Sequence, residues 1–206
     1  MKRLYLLRHG QTEFNVKKLV QGRCDSPLTD LGRQQAQAAA EWLKARGVVP
    51  DKVVSSPLGR AMDTASLVAC EILGPDATVE PCEGIIERGY GTFEEGPHDA
   101  LPTDVWDPGE DLVPFGGEGS RALQERMVDT LTNLMGAEGI ETLLAVSHGS
   151  ASRQFIKAAA PEGFELPAKL PNCAIMIFDF DDAREEDDTP QCKFTLQQIV
   201  DPQQSH

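Results

Sequence analysis

Two of the four histidines occupy the same local setting. Arg8-His9-Gly10 and Ser147-His148-Gly149 each follow a short apolar run and precede a glycine. A third segment, Ser55-Ser56-Pro57-Leu58-Gly59-Arg60-Ala61, follows another run of the same kind. In α/β sheets ligands bind beyond the carboxyl ends of parallel strands, so these segments fall where chemistry is expected. One such tripeptide is weak: chance supplies it, loop histidines are often satisfied by backbone, and many helices begin with a surface arginine. Three strand ends bearing His, Arg and His together are far more specific.

The residue types suggest the reaction. A neutral imidazole is a good in-line nucleophile toward phosphorus, and the phosphoramidate it forms hydrolyses readily. Phosphoryl transfer needs charge stabilisation on the equatorial oxygens more than covalent help. Arg8 and Arg60 offer planar, permanently charged forks matched to phosphate oxygens. His148, once protonated by an anionic site, adds another positive donor. A metal centre is the rival reading of converging histidines. Two flanking arginines repel a divalent cation and no Asp/His ligand spacing accompanies them, so no metal and no cofactor are expected.

The elements that must position these residues follow from periodicity. Residues 3–7 read as a strand, 30–46 as a helix started by Thr29-Asp30 and stopped by Gly47, and 52–55 as a second strand. Residues 58–73 look helical, and 78–80 read as a brief strand, 118–136 as an amphipathic helix, 142–147 as a buried strand and 150–160 as a helix. Residues 174–178 and 194–199 flank an acidic connection at 181–190, read as a solvated loop, and form an antiparallel pair closing the sheet. Alternation of strand and helix gives an α/β class, here a three-layer α/β/α sandwich around a mostly parallel sheet with an antiparallel strand near the C-terminus. Residues 1–206 read as one domain. Residues 89–117, rich in Gly, Pro and acids without periodicity, are expected to be a lid or insertion over the active site.

Bulk properties narrow the class. A 40% hydrophobic, 25% charged composition is that of a soluble globular chain, and no apolar run is long enough for a bilayer. Leu4-Tyr5-Leu6-Leu7 is too short for a signal-peptide core. Five scattered cysteines without a C-x-x-C pair argue against a disulfide framework and for a reducing, cytoplasmic setting. The net charge of −14 is uneven: residues 1–60 hold 11 Lys/Arg against 5 Asp/Glu, and the rest 8 against 28. That balance disfavours nucleic acid and places anion reception in the first third.

The order of the motifs resembles the histidine phosphatase superfamily, also called phosphoglycerate mutase-like. The matching text is Leu7-Arg8-His9-Gly10-Gln11-Thr12-Glu13-Phe14-Asn15, Gln21-Gly22, Asp25-Ser26-Pro27-Leu28-Thr29-Asp30-Leu31-Gly32, Ser55 to Ala61 and Thr64-Ala65. It continues through Glu87-Arg88-Gly89-Tyr90-Gly91, Gly117-Glu118 and Val146-Ser147-His148-Gly149, spanning about residues 3 to 178. The resemblance implies His9 as nucleophile, Arg8, Arg60 and His148 as phosphate ligands, and Glu87 as the acid that protonates the leaving oxygen. It also places Asn15, Gln21, Gly22 and Gly149 around the phosphate. Glu83 and Glu94-Glu95 are neighbouring rivals for the acid, and His98 and His206 are expected to face solvent, idle.

Within that family the expectation is a phosphomonoester hydrolase acting on a small molecule, as a monomer or homodimer. Mutase-type transfer and non-catalytic phospho-ligand binding are the alternatives. Mutases supply cations after the Glu-Arg-x-Tyr-Gly region, but residues 89–120 here contain no Lys or Arg and eight Asp/Glu. His148-Gly149-Ser150 also departs from the mutase His-Gly-Asn, whereas Glu87 to Gly91 leans toward mutase wording. At an effective dielectric of about 20, one carboxylate ~6 Å from a second phosphate costs roughly 3 kcal/mol, about a hundredfold in affinity. A singly anionic ester is therefore expected. All core residues are present, which disfavours the non-catalytic reading.

Overall fold

Alternation along each central strand divides the interior into two cores. In β1 (Lys2–Arg8), Leu4 and Leu6 face one core while Tyr5 and Leu7 face the other. β4 (Thr142–Ser147) repeats this with Leu143 and Ala145 against Leu144 and Val146. β5 (Ile175–Phe180) sends Met176 and Phe178 to the first core and Ile175 and Ile177 to the second. Strands with both faces apolar must be covered on both sides by helices. With β2 (Lys52–Ser55), β3 (Glu80–Pro81) and β6 (Phe194–Val200), they form a six-stranded sheet ordered β3-β2-β4-β1-β5-β6. β3, β2, β4 and β1 run parallel, β5 is antiparallel to β1, and β6 is antiparallel to β5. The computed structural model describes residues 1–182 and 192–204. Most of the acidic connection, and His206, lie outside the described residues.

The helices follow the apolar spacing. α2 (Asp30–Ala45) is capped by Thr29, whose hydroxyl accepts the Gly32 N–H at 3.0 Å. Its buried stripe of Ala36, Ala39, Ala40 and Leu43 packs beside Ala61, Ala65, Val68 and Ala69 of α3 (Gly59–Leu73). On the other face, α4 (Ser120–Gly136) buries Leu123, Met127, Leu131 and Met135, beside α5 (Gly149–Ala159). α4 begins two residues later than the periodicity suggests, with Gly119 as its N-cap.

Two features are not legible as periodic patterns. α1 (Glu13–Lys17) has five residues and is held by a capping box: Thr12 and Asn15 each accept the other's backbone N–H at 3.2 Å. Residues 89–117 contain three 3₁₀ turns, Gly91–Phe93, His98–Ala100 and Val113–Phe115. Tyr90, Leu101 and Leu112 from this stretch bury themselves with Val20 in a small third core, too short for any helical or strand period to register.

α5 carries one end of the site and is anchored by Phe155, fully buried with ring centroids 4.8 Å from Phe178 and 5.0 Å from Phe194. Phe155→Ala should lower unfolding free energy by about 3–5 kcal/mol in a denaturant titration. A loss below about 1 kcal/mol would mean that this core collapses around the gap.

Candidate active site

The carboxyl ends of β1, β2 and β4 are tied by backbone hydrogen bonds that continue past the strands. The His9 N–H donates to the Ser147 carbonyl at 3.0 Å, and the Ser56 N–H to Val146 at 2.9 Å. These bonds bring the His9 and His148 rings edge to face, 5.2 Å between centroids. His9 Nδ1 lies 2.7 Å from the Gly10 carbonyl oxygen. A carbonyl only accepts, so Nδ1 carries the proton and the lone pair is on Nε2. A Cβ at Gly10 would overlap the Gly32 carbonyl, so the loop needs glycine to lie against the start of α2. Burial, then the Arg60 and Arg8 cations, hold His9 well below the ordinary imidazole range. It is neutral at neutral pH, the nucleophilic form.

Arg8 and Arg60 are both almost wholly buried. Arg60 Nη1 donates to the Cys24 carbonyl at 2.7 Å and to Asp25 at 3.1 Å, and Nη2 donates to the Gly22 carbonyl at 2.7 Å. Gly22 turns that carbonyl inward with φ +52°, a left-handed conformation that favours glycine. Arg8 Nη1 donates to the Leu170 carbonyl. The Nε atoms of both arginines and His148 Nδ1 are buried without a protein partner. Such orphans are uncommon, and at a cavity wall a catalytic role, a water or an ion can account for them. Burial pushes Arg8 down to about 10, opposed by Glu87, so it stays cationic at neutral pH.

Glu87 reaches the first turn of α5. Its carboxylate accepts backbone N–H bonds from Arg88 at 2.8 Å, Ala151 at 2.9 Å and Ser150 at 3.2 Å. Arg88, fully buried, braces the arrangement by donating to Ser150 Oγ, the Glu118 carbonyl and Ser120 Oγ at 2.7–2.9 Å. The rival acids are elsewhere. Glu94 accepts from Tyr90 N, Arg23 N and Cys24 Sγ, and neither it, Glu83 nor Glu95 lines the cavity.

The cavity measures about 240 Å³, and every predicted site residue except His148 lines it. His148 stands behind the wall, fully buried, with Nε2 2.7 Å from Ser56 Oγ. Burial, then Arg60, His9 and Arg8, keep it well below the ordinary range, so in the protein's own field it is a neutral imidazole. A phosphate dianion beside it would supply the opposing charge. His98 corrects an expectation: it is half-buried, lines the cavity, and donates from Nε2 to the Leu19 carbonyl at 3.2 Å.

Sequence reasoning missed several wall residues. Asn172 donates to the His9 carbonyl at 3.1 Å and to Asn15 Oδ1 at 3.2 Å, joining the loop before β5 to the nucleophile loop. Lys18 and Lys169 also line the cavity, cations that the sequence reading did not single out. Both lie outside residues 89–120, the stretch the sequence reading found free of Lys and Arg. Trp106, in that stretch, lies over the Arg8 guanidinium at 5.2 Å, and a Cβ on Gly149 would stand 2.8 Å from its ring. Among the described residues, no three His, Cys, Asp or Glu side chains gather where they could hold a metal ion.

The profile described as histidine phosphatase superfamily (branch 1) matches residues 4–189. A protein named probable phosphoglycerate mutase from Proteus mirabilis is 32% identical over 87% of this chain and 86% of its own. A broad-specificity phosphatase of Saccharomyces cerevisiae is 34% identical over 75% of this chain and 69% of its own. Among solved structures, a phosphoserine phosphatase mutant of Entamoeba histolytica in complex with phosphoserine superposes with TM-score 0.75 at 27% identity, covering both chains entirely. The mycobacterial glucosyl-3-phosphoglycerate phosphatase gives 0.75 at 25% identity, covering 96% of this chain and 98% of its own.

The depressed histidines make stability depend on pH. Below about 6.5 the unfolded chain takes up protons that native His9 and His148 refuse, so their contribution is complete above that value and is lost as pH falls. His148→Gln should flatten the fall in unfolding free energy between pH 6.5 and 5 by up to about 1.4 kcal/mol per pH unit. Identical slopes for the two proteins would contradict a neutral His148.

Proposed function

Because the chain belongs to the histidine phosphatase superfamily, we propose that it hydrolyses small phosphomonoesters through a phosphohistidine on His9. The observation that carries this reading is a neutral, buried His9 with Nε2 unbonded, beside two buried guanidinium groups whose Nε atoms lack partners. In the first step Nε2 attacks phosphorus and the ester P–O bond breaks, with Glu87 giving its proton to the departing oxygen. Arg8 and Arg60 balance the charge on the equatorial oxygens, helped by His148. In the second step water attacks the phosphohistidine, Glu87 takes the proton, the P–N bond breaks, and inorganic phosphate leaves. Asn15, Gln21, Gly22 and Gly149 wall the phosphate end. Relatives named for phosphatase activity support the hydrolytic outcome.

Phosphoglycerate mutase-type transfer is the second reading. Two observations favour it: Lys18 and Lys169 in the cavity, and the name of the Proteus mirabilis relative. The two readings separate when 3-phosphoglycerate is supplied with and without 2,3-bisphosphoglycerate and both free phosphate and 2-phosphoglycerate are followed. Phosphate release should outrun isomerisation. His9→Ala should abolish it, together with an acid-labile, base-stable phosphoenzyme trapped during turnover. Isomerisation that dominates and is stimulated by the bisphosphate would overturn the hydrolase reading.

The role of Glu87 has its own test. Glu87→Gln should slow alkyl phosphates, whose leaving oxygen needs a proton, by about 10²–10⁴-fold, and p-nitrophenyl phosphate far less. Equal losses on both would move the acid to another group.

A further inference from the structure

The direction in which Arg60 presents its free donors is set by a short piece of loop between α1 and α2. A guanidinium has five N–H donors. Arg60 gives both donors of Nη1 to the Cys24 carbonyl and Asp25, and one donor of Nη2 to the Gly22 carbonyl. That leaves Nε–H, buried and unpartnered, and the second N–H of Nη2. These neighbouring donors form one fork, the shape that fits two phosphate oxygens. Where the fork points therefore depends on where the Gly22 and Cys24 carbonyls stand.

Backbone pairing secures this loop only as far as Val20. The His98 N–H donates to the Lys18 carbonyl at 3.1 Å, Val20 N–H to Gly96 at 2.8 Å, and Glu95 N–H to Val20 at 2.8 Å. Beyond Val20 the Glu94 side chain takes over. Its Oε1 accepts the Tyr90 N–H at 2.9 Å and the Arg23 N–H at 3.1 Å, and its Oε2 accepts the Cys24 thiol at 3.2 Å. Burial, reinforced by Glu94, pushes that thiol up to about 12, so it stays protonated and donates. A Cβ on Gly22 would overlap the Glu94 carboxylate, so the acid lies against the turn itself. The Arg23 N–H and the Gly22 carbonyl belong to one peptide unit, which is planar and trans. Fixing its N–H on Glu94 fixes its carbonyl on the opposite side, toward Arg60.

We propose that Glu94 is a positioning residue for Arg60, acting through the Gly22–Arg23 peptide and the Cys24 thiol without touching the substrate. The proposal rests on the hydrolase reading only for the place of Arg60 on the phosphate. Glu94 is half-buried and is not among the residues lining the cavity, so it reaches the reaction only through others. Its bond to Tyr90 N–H also ties the Arg60 loop to the segment that carries Glu87. Reach matters here more than charge. Burial lowers Arg60, and Glu94 opposes this less than Glu87 or Asp25 does.

Two substitutions separate reach from charge. Glu94→Gln keeps the length and leaves one oxygen to accept both backbone N–H groups. Glu94→Asp keeps the charge but draws the carboxylate back by one methylene. Activity is measured as kcat/KM on p-nitrophenyl phosphate and on glycerol 3-phosphate. Glu94→Asp should lose roughly ten- to a hundredfold on both alike, the range for a hydrogen bond to a charged group. Glu94→Gln should keep most of the activity. In an Arg60→Lys background, whose ammonium cannot hold both carbonyls, Glu94→Asp should cost little more, because the two changes break the same chain of contacts. Binding of inorganic phosphate, followed by calorimetry, should show the same coupling. A loss of equal size in either Arg60 background, a loss confined to the alkyl ester, or a Gln variant as impaired as the Asp variant overturns the positioning role. Coupled phosphate binding in a protein that hydrolyses neither ester sustains that role and instead defeats the hydrolase reading.

Discussion

Positive charge without enough partners, buried at the carboxyl edge of the sheet, is the condition to which the rest of this structure answers. Two guanidinium groups are taken almost entirely out of water, and only part of their hydrogen-bonding capacity is met by carbonyls and Asp25. Desolvation of unpaired charge is expensive, and the attraction of Glu87 and Asp25 offsets part of it. Burial, reinforced by these cations, keeps both imidazoles neutral, so one arrangement sets the nucleophile's protonation state and creates the demand for an anion.

The scaffold resists that field with backbone. β1 and β4 lie side by side, and their terminal hydrogen bonds fix His9 and His148 before any side chain acts. Glu87 is fixed by N–H groups of α5 and by its neighbour Arg88, whose side chain reaches Ser150 and the chain around Glu118 to Ser120. The acid, the start of α5 and the start of α4 are thus tied together by hydrogen bonds.

The long elements were readable because apolar periodicity reports directly on burial, and β1, β4, α2 and α4 each carry an unbroken pattern. His9, Arg8, Arg60 and Glu87 were readable because motif text binds residue type to a strand end. Lys18, Asn172 and Lys169 were not, because each reaches the cavity through an irregular backbone that has no period. His98 looked idle for the same reason: only the fold of residues 89–117 around Tyr90 and Leu112 turns it inward.

The chain has two tryptophans, and they occupy very different surroundings. Trp42 is buried on α2 under the Arg46 guanidinium at 3.7 Å, away from the cavity wall. Trp106 forms part of that wall, between Arg8 and Lys169. Anything that enters the cavity alters the polarity and charge around one indole and leaves the other as an internal standard. The protein therefore carries its own optical reporter of occupancy, and a Trp42→Phe background would make ultraviolet emission a single-site signal.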